Sequence, residues 1–312
     1  MTRVGVSLPS SAIFLWLVSQ VAPFSAYLNQ QLTSSFGQQR ANDVLIRADV
    51  GPSGSIGGMQ SSADPVIRRP VLFVHGLGQT ADDMVPLIER YKERGYTAQE
   101  LYASTWPDKS NSYRDTTMKC SFLRRIRYWI YIVSRHTGWR KIDVVAFSMG
   151  VPMARKAILG GRCIDDGQRL GMPLTAKVAN FVAVAGANLG LSYCAAVSSP
   201  GSSCDSTIGL YPGNGDCSTR GGRRPSLILR HLLAKGNERF EADRVFTIWS
   251  TQDEVVDAMI CGRYSSRLGS QVEEHVRRDL RHDGTLLETV DVQIAMLRRG
   301  TARRRKDREG GR

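Results

Sequence analysis

The chain has 312 residues, of which 42% are hydrophobic and 23% charged, and a formal net charge of +13. This balance is ordinary for a globular protein and excludes an intrinsically disordered chain. The length fits one large α/β domain or two small ones. None of the six cysteines forms a C-x-x-C pair, which argues against a structural zinc site.

At the N-terminus, Arg3 precedes an apolar run from Ala12 to Val18, followed by Pro23 and the small residues Ser25 and Ala26. Residues 1–26 therefore read as a secretory signal peptide, since the run is too short to span a bilayer. In the oxidising compartment this implies, Cys120, Cys163, Cys194, Cys204, Cys217 and Cys261 are expected to pair as disulfides, in a connectivity that spacing alone does not choose. Residues 27–64 read as a flexible linker because 51–58 are rich in Gly, Ser and Pro. Ser55 has a glycine two positions on, but it has no strand before it and no helical pattern after it. It is assigned to the linker.

The folded domain is expected over 65–299. Residues 70–74 form a continuous apolar strand, and 80–94 carry Met84, Leu87, Ile88 and Tyr91 at helical spacing. A strand at 99–104 and a helix at 117–135 follow, then a strand at 142–147 and a helix at 151–159 that stops at Gly160-Gly161. Two further buried strands are expected at 178–185 and 245–249. Strands alternating with helices predict an α/β fold with a mostly parallel, doubly wound sheet. Residues 191–224 are irregular and hold three cysteines. They read as a stapled excursion, either a lid or rim over a substrate pocket or a plain surface loop. From 298 to 312 the chain has eight Lys/Arg against two Asp/Glu, a net +6. Residues 300–312 read as a solvated basic tail whose functional partner would be an anionic membrane surface. The tail has no aromatic residue to stack on bases, which argues against nucleic acid.

The chemistry centres on Ala146-Phe147-Ser148-Met149-Gly150. An apolar strand running into a small-x-Ser-x-Gly turn is the nucleophile elbow of an α/β-hydrolase, here with Ala in the first small position. Such a serine needs an acid and a histidine later in the chain, in that order. His282 precedes an expected helix in which Thr285 and Glu288 form a capping box and Leu286, Val290, Ile294 and Leu297 repeat helically, so it is placed on a loop. His275 lies in a charged, helix-like run and reads as a surface residue. Asp253 ends a late strand and is preferred to Glu254 and Asp257 as the acid. The N–H groups of Leu77 and Met149 are the expected oxyanion hole. His75 precedes the serine, so it is expected to hold the Gly76–Gly78 loop through hydrogen bonds rather than act as the base.

Together these residues resemble a known family. Val74-His75-Gly76-Leu77-Gly78, the Ser148 elbow, Gly160-Gly161-Arg162-Cys163-Ile164-Asp165, Leu170-Gly171, Pro173-Leu174-Thr175, Ala185-Gly186-Ala187-Asn188-Leu189-Gly190, Asp253, Cys261-Gly262-Arg263 and His282-Asp283-Gly284-Thr285 are similar to the class 2 lipases, especially nematode-type secreted lipases. The resemblance covers roughly 65–299. It implies a secreted ester hydrolase on a minimal α/β-hydrolase fold, with Ser148, Asp253 and His282 as triad, Leu77 and Met149 as oxyanion hole, and no metal or organic cofactor. Its expected substrate is an acylglycerol or other lipid ester. A phospholipase, thioesterase or transacylase on the same triad, a silent lipid-binding protein, and a membrane-surface adhesion protein are the competing readings.

Overall fold

The computed structural model describes residues 24–51, 54–108, 112–213 and 224–299. The expected basic tail at 300–312, Cys217, and most of the expected signal segment lie outside the described residues. A seven-stranded sheet is built from β1 (Ser55–Ile56), β2 (Val71–Val74), β3 (Leu101–Ser104), β4 (Ile142–Phe147), β5 (Val178–Val184), β6 (Arg244–Ser250) and β7 (Glu273–Arg277). Its spatial order is β1-β3-β2-β4-β5-β6-β7. Only β1 runs antiparallel to its neighbour, and the other pairs are parallel. The expected α/β architecture with a mostly parallel, doubly wound sheet is the one observed.

The main helices are α1 (Ala26–Phe36), α2 (Val85–Glu93), α3 (Cys120–Thr137), α4 (Gly150–Leu159), α5 (Leu227–Leu233), α6 (His282–Leu287) and α7 (Val290–Arg298). Side chains alternate across the central strands, so both faces are covered and the strands read as unbroken apolar runs. Leu72, Val74, Val144 and Ala146 face a layer that includes α1, α3 and α4. Val71, Phe73, Val145 and Phe147 face Leu87, Ile88 and Tyr91 of α2 and Val290, Ile294 and Leu297 of α7.

Three expectations are corrected. Residues 27–64 are not a flexible linker. α1 is capped by Ser25, whose Oγ accepts from the Leu28 N–H at 3.1 Å and donates to Met59 O at 2.6 Å. Leu28, Leu32, Ala41 and Leu45 are buried in the main core, and Phe24 packs edge-on against Trp129. The folded body therefore includes residues well before the domain start expected at 65. Apolar residues separated by polar runs carried too weak a pattern to announce this packing. Ser55 belongs to β1, where it is buried and donates to Leu45 O and Ser104 Oγ. Second, His275 sits on β7, paired with Ile248 of β6, and not on a helix. All five residues of this edge strand are half-exposed, so its charged side chains can reach water. Third, the expected C-terminal helix is divided into α6 and α7. The hydroxyl of Thr285 donates back to Arg281 O instead of capping a new helix.

One buried polar cluster fixes the register of the central strands. Asp143 of β4 accepts from Arg69 Nη1 at 3.2 Å, and from the backbone N–H and side-chain amide of Asn180 on β5 at 3.1 and 2.9 Å. Asn180 also donates to Leu297 O of α7 at 3.0 Å. The Arg69 and Asp143 side chains are 4% and 3% exposed. Disulfides join Cys120 to Cys163 and Cys194 to Cys204, and Cys261 is also disulfide-bonded. No helix among the described residues is long and apolar enough to cross a membrane. Asp143→Ala strips a buried guanidinium of its carboxylate. It should lower unfolding free energy by about 3–5 kcal/mol, read from the midpoint of chemical denaturation.

Candidate active site

Ser148 sits in the turn between β4 and α4 with φ 54, a region that a residue carrying a Cβ enters at a cost of about 1–3 kcal/mol. The turn is held from several sides. The Ser148 N–H donates to Val184 O at the end of β5, and Ser148 O accepts from Val151 and Ala187. Gly150 has no room for a side chain: a Cβ there would lie 2.4 Å from His75 O and 2.5 Å from Val74 O. The glycine two positions after the serine is therefore required because α4 passes directly over the end of β2.

Asp253 and His282 are brought together as expected. His282 Nδ1 donates to the Asp253 carboxylate, at 2.9 and 2.8 Å from its two oxygens. Asp253 Oδ1 also accepts from the Val255 and Val256 N–H groups at 3.0 and 2.8 Å. With its Nδ1 proton committed to the carboxylate, the imidazole presents Nε2 as its acceptor. His282 is not on a loop: it is the first residue of α6, and its ring lies 4.6 Å from that of Phe147, the residue before Ser148. Its own N–H donates to Glu254 Oε2 at 2.9 Å. Glu254 thus holds the histidine by its backbone, a role the sequence did not signal. Asp257 accepts instead from Ser192 N–H.

The expected oxyanion amides flank the serine. Met149 is the N-cap of α4 and is fully buried, and Leu77 stands on the loop after β2. Among the described residues neither amide has a hydrogen-bond partner. The loop is held by the Gly76 N–H, which donates to Gln79 Oε1 at 2.9 Å, and by His75. His75 Nδ1 donates to Gly76 O at 2.9 Å, and Nε2 accepts from the Trp106 N–H at 3.3 Å. The Trp106 indole stacks on the imidazole at 5.0 Å and donates to His75 O at 3.0 Å. One donor and one acceptor describe a neutral ring, and complete burial pushes the His75 pKa down to about 4. His75 is the loop holder that the sequence suggested. Trp106, its partner from the segment after β3, was not foreseen because no motif marks it.

Ser148 and His282 line a common cavity of about 140 Å³ with Leu77, Tyr113, Leu191 and Val255 among its walls. Leu191 and Leu210 come from the stapled excursion, which is therefore part of the rim. Its residues 214–223 lie outside the described set. The excursion is tied to the segment after β3 by Ser203 N–H to Arg114 O, by Met118 N–H to Ile208 O, and by the Tyr113 and Tyr193 hydroxyls 3.0 Å apart. Elsewhere, Cys120, Cys163, Asp165 and Asp166 have the proximity of metal ligands. The two sulfurs are bonded to each other, and Asp165 accepts from the Cys120 N–H, so this corner is stapled rather than free to bind a metal.

His75 and His136 both have pKa values lowered by burial to about 4, against 6.5 in the unfolded chain. Between these values the unfolded chain binds more protons, so stability rises with pH across that window and is fully present above it. Denaturation midpoints measured at intervals from pH 7 to 4.5 should fall steadily, and His136→Gln should make the decline shallower.

A family model of class 2 lipases matches residues 68–295. Among solved structures, the chain is similar to Aspergillus fumigatus lipase B, with a TM-score of 0.54 at 15% identity over 78% of this chain and 55% of that one. It is also similar to the mature form of Bacillus licheniformis lipase BlEst2, with a TM-score of 0.51 at 12% identity over 78% of this chain and 97% of that one. At such identities the structural likeness speaks for the fold, and this chain spans only about half the length of the Aspergillus enzyme. The family match covers most of the folded body and includes Leu77, Ser148, Met149, Asp253 and His282, and the chain belongs to the class 2 lipases, ester hydrolases of the α/β-hydrolase fold.

Proposed function

We propose that this protein is an exported lipase that cleaves acylglycerol esters through an acyl-enzyme on Ser148. The observation that carries the reading is the buried Asp253–His282 pair opening on the same cavity as a serine held at positive φ. His282 Nε2 takes the Ser148 proton as Oγ bonds to the ester carbonyl carbon. The Leu77 and Met149 N–H groups receive the oxyanion. Collapse breaks the bond to the alkoxide, which leaves with the proton from His282. Water then repeats the sequence on the acyl-enzyme and releases a carboxylic acid. Asp253 orients the ring and stabilises its charged form. The apolar walls Leu77, Phe147, Leu191, Leu210 and Val255 suit an acyl chain.

Export is supported by the apolar N-terminal run and by the paired cysteines. The basic tail at 300–312 would add attraction to an anionic lipid surface.

A phosphonate bearing an alkyl chain should add its mass to the peptide containing Ser148. Ser148→Ala should lower kcat by about 10⁶-fold and Asp253→Asn by about 10⁴-fold. Full esterase activity in Ser148→Ala would refute the mechanism. Turnover of phospholipids or thioesters in preference to acylglycerols would reassign the substrate while leaving the triad standing. Leu210→Trp should fill the acyl cavity and shift the preference toward shorter acyl chains, measured as kcat/KM across a series of p-nitrophenyl esters.

A further inference from the structure

The segment leaving β3 presents three successive carbonyls, Thr105, Trp106 and Pro107, beyond the last strand that could pair with them. Two arginines hold them. Arg125 Nη1 of α3 donates to Trp106 O at 2.9 Å. Arg47 Nη1 donates to Thr105 O and, at 2.6 Å, to Pro107 O. The Arg47 Nε and Nη2 atoms each lie 2.8 Å from an oxygen of Asp49, in a two-pronged ion pair. The Arg47 side chain is 0% exposed, and its residue adopts φ 59. An arginine so placed carries both a burial cost and a backbone cost, and its contacts concentrate on one short segment.

That segment is the one that grips the oxyanion loop. Trp106, between the two carbonyls that Arg47 holds, stacks on His75 and donates to it twice, through its backbone N–H to Nε2 and through its indole to the carbonyl. His75 in turn bonds Gly76 O, next to Leu77. A line of contacts therefore runs from Arg47 to Thr105 O, across that peptide bond to the Trp106 N–H, on to His75, and from its Nδ1 to Gly76 O, whose peptide bond carries the Leu77 N–H, the expected oxyanion donor. Arg47 lies outside residues 68–295, the part matched by the family model. It is also in the stretch whose composition suggests a linker.

We propose that Arg47 is a positioning residue for ester hydrolysis: it fixes Trp106 and thereby the Leu77 N–H at the place where the oxyanion forms. This rests on the reading of Leu77 and Met149 as oxyanion donors. The guanidinium is suited to the task because Nη1 alone donates to both carbonyls while the Nε–Nη2 edge is paired with the Asp49 carboxylate. A lysine ammonium can donate to a carbonyl but cannot at the same time present a two-pronged edge to Asp49. A small displacement of an oxyanion donor weakens the transition state more than the bound ester, since charge reaches that oxygen only as the reaction proceeds.

The test uses Arg47→Met, Arg47→Lys, Trp106→Phe and the Arg47→Met/Trp106→Phe double variant. All are assayed with p-nitrophenyl butyrate well below their unfolding midpoints. Rates are expressed per active site titrated with the alkyl phosphonate, so that misfolded protein does not count. Arg47→Met should lower kcat per titrated site on the order of ten- to a hundredfold while KM changes less than about twofold. Arg47→Lys should recover part of the loss. Affinity for a trifluoromethyl ketone, which forms an oxyanion on Ser148, should fall in parallel with kcat. The double variant should lose less than the product of the single losses, because both act through one line of contacts. An unchanged kcat per site in Arg47→Met, a loss shared equally with KM, or strictly multiplicative losses would each overturn the proposal. Failure of the phosphonate to label Ser148 in the unaltered protein would instead overturn the functional reading beneath it.

Discussion

The site depends on a steric constraint at the turn from β4 to α4. A serine can be presented above the edge of a parallel sheet only if the chain reverses direction within one or two residues, and that forces Ser148 to positive φ. The turn persists because its surroundings leave no alternative. Val184 takes its N–H, Val151 and Ala187 bond its carbonyl, and the end of β2 presses against Gly150. The same crowding brings the loop after β2 beside the serine. A Cβ at Gly76 would lie 3.0 Å from Ser148 Cβ. The loop after β2 and Ser148 are adjacent because β2 and β4 are hydrogen-bonded neighbours.

Around this turn, the acid and the two histidines are each backed by another group that fixes them. Asp253 holds the His282 ring, and two backbone N–H groups hold Asp253. Glu254 holds the His282 backbone, so two consecutive acids hold one histidine, Asp253 by its ring and Glu254 by its N–H. His75 is kept neutral by burial and so can accept from Trp106 while donating to Gly76. A charged ring in that position would offer two donors and lose one of these contacts. The arrangement concentrates fixed dipoles near Ser148, which the proposed reaction would use with little rearrangement.

Much of the fold was legible from the sequence. Runs such as Val71–Val74 and Ile142–Phe147 are apolar throughout because both sides of a parallel strand are covered, and that composition survives any detail of packing. The residues of the candidate site were legible for a similar reason. Ser148, Asp253 and His282 must follow a fixed order along the chain, and the small residues around the serine are demanded locally. Less visible were the elements whose conformation is settled by neighbours. His275 looked helical among charged residues, yet β6 offers it a free edge and it becomes a strand. Residues 27–64 read as a linker after a leader, yet Leu28 and Leu32 find an apolar surface and the helix at 26–36 docks.

The sequence by itself determined the alternation of strand and helix, the nucleophile turn, and the identities of its expected partners, because these follow from short-range sterics and the order of elements. Only the tertiary structure decided what holds the site still. Glu254 on the His282 N–H, Trp106 on His75, and Arg47 on the Thr105 and Pro107 carbonyls are contacts across long stretches of chain, 28, 31, 58 and 60 residues apart. No local pattern encodes such pairs. They exist because the sheet brings its strand ends together, and the side chains that reach the gap satisfy carbonyls and amides that no strand can pair.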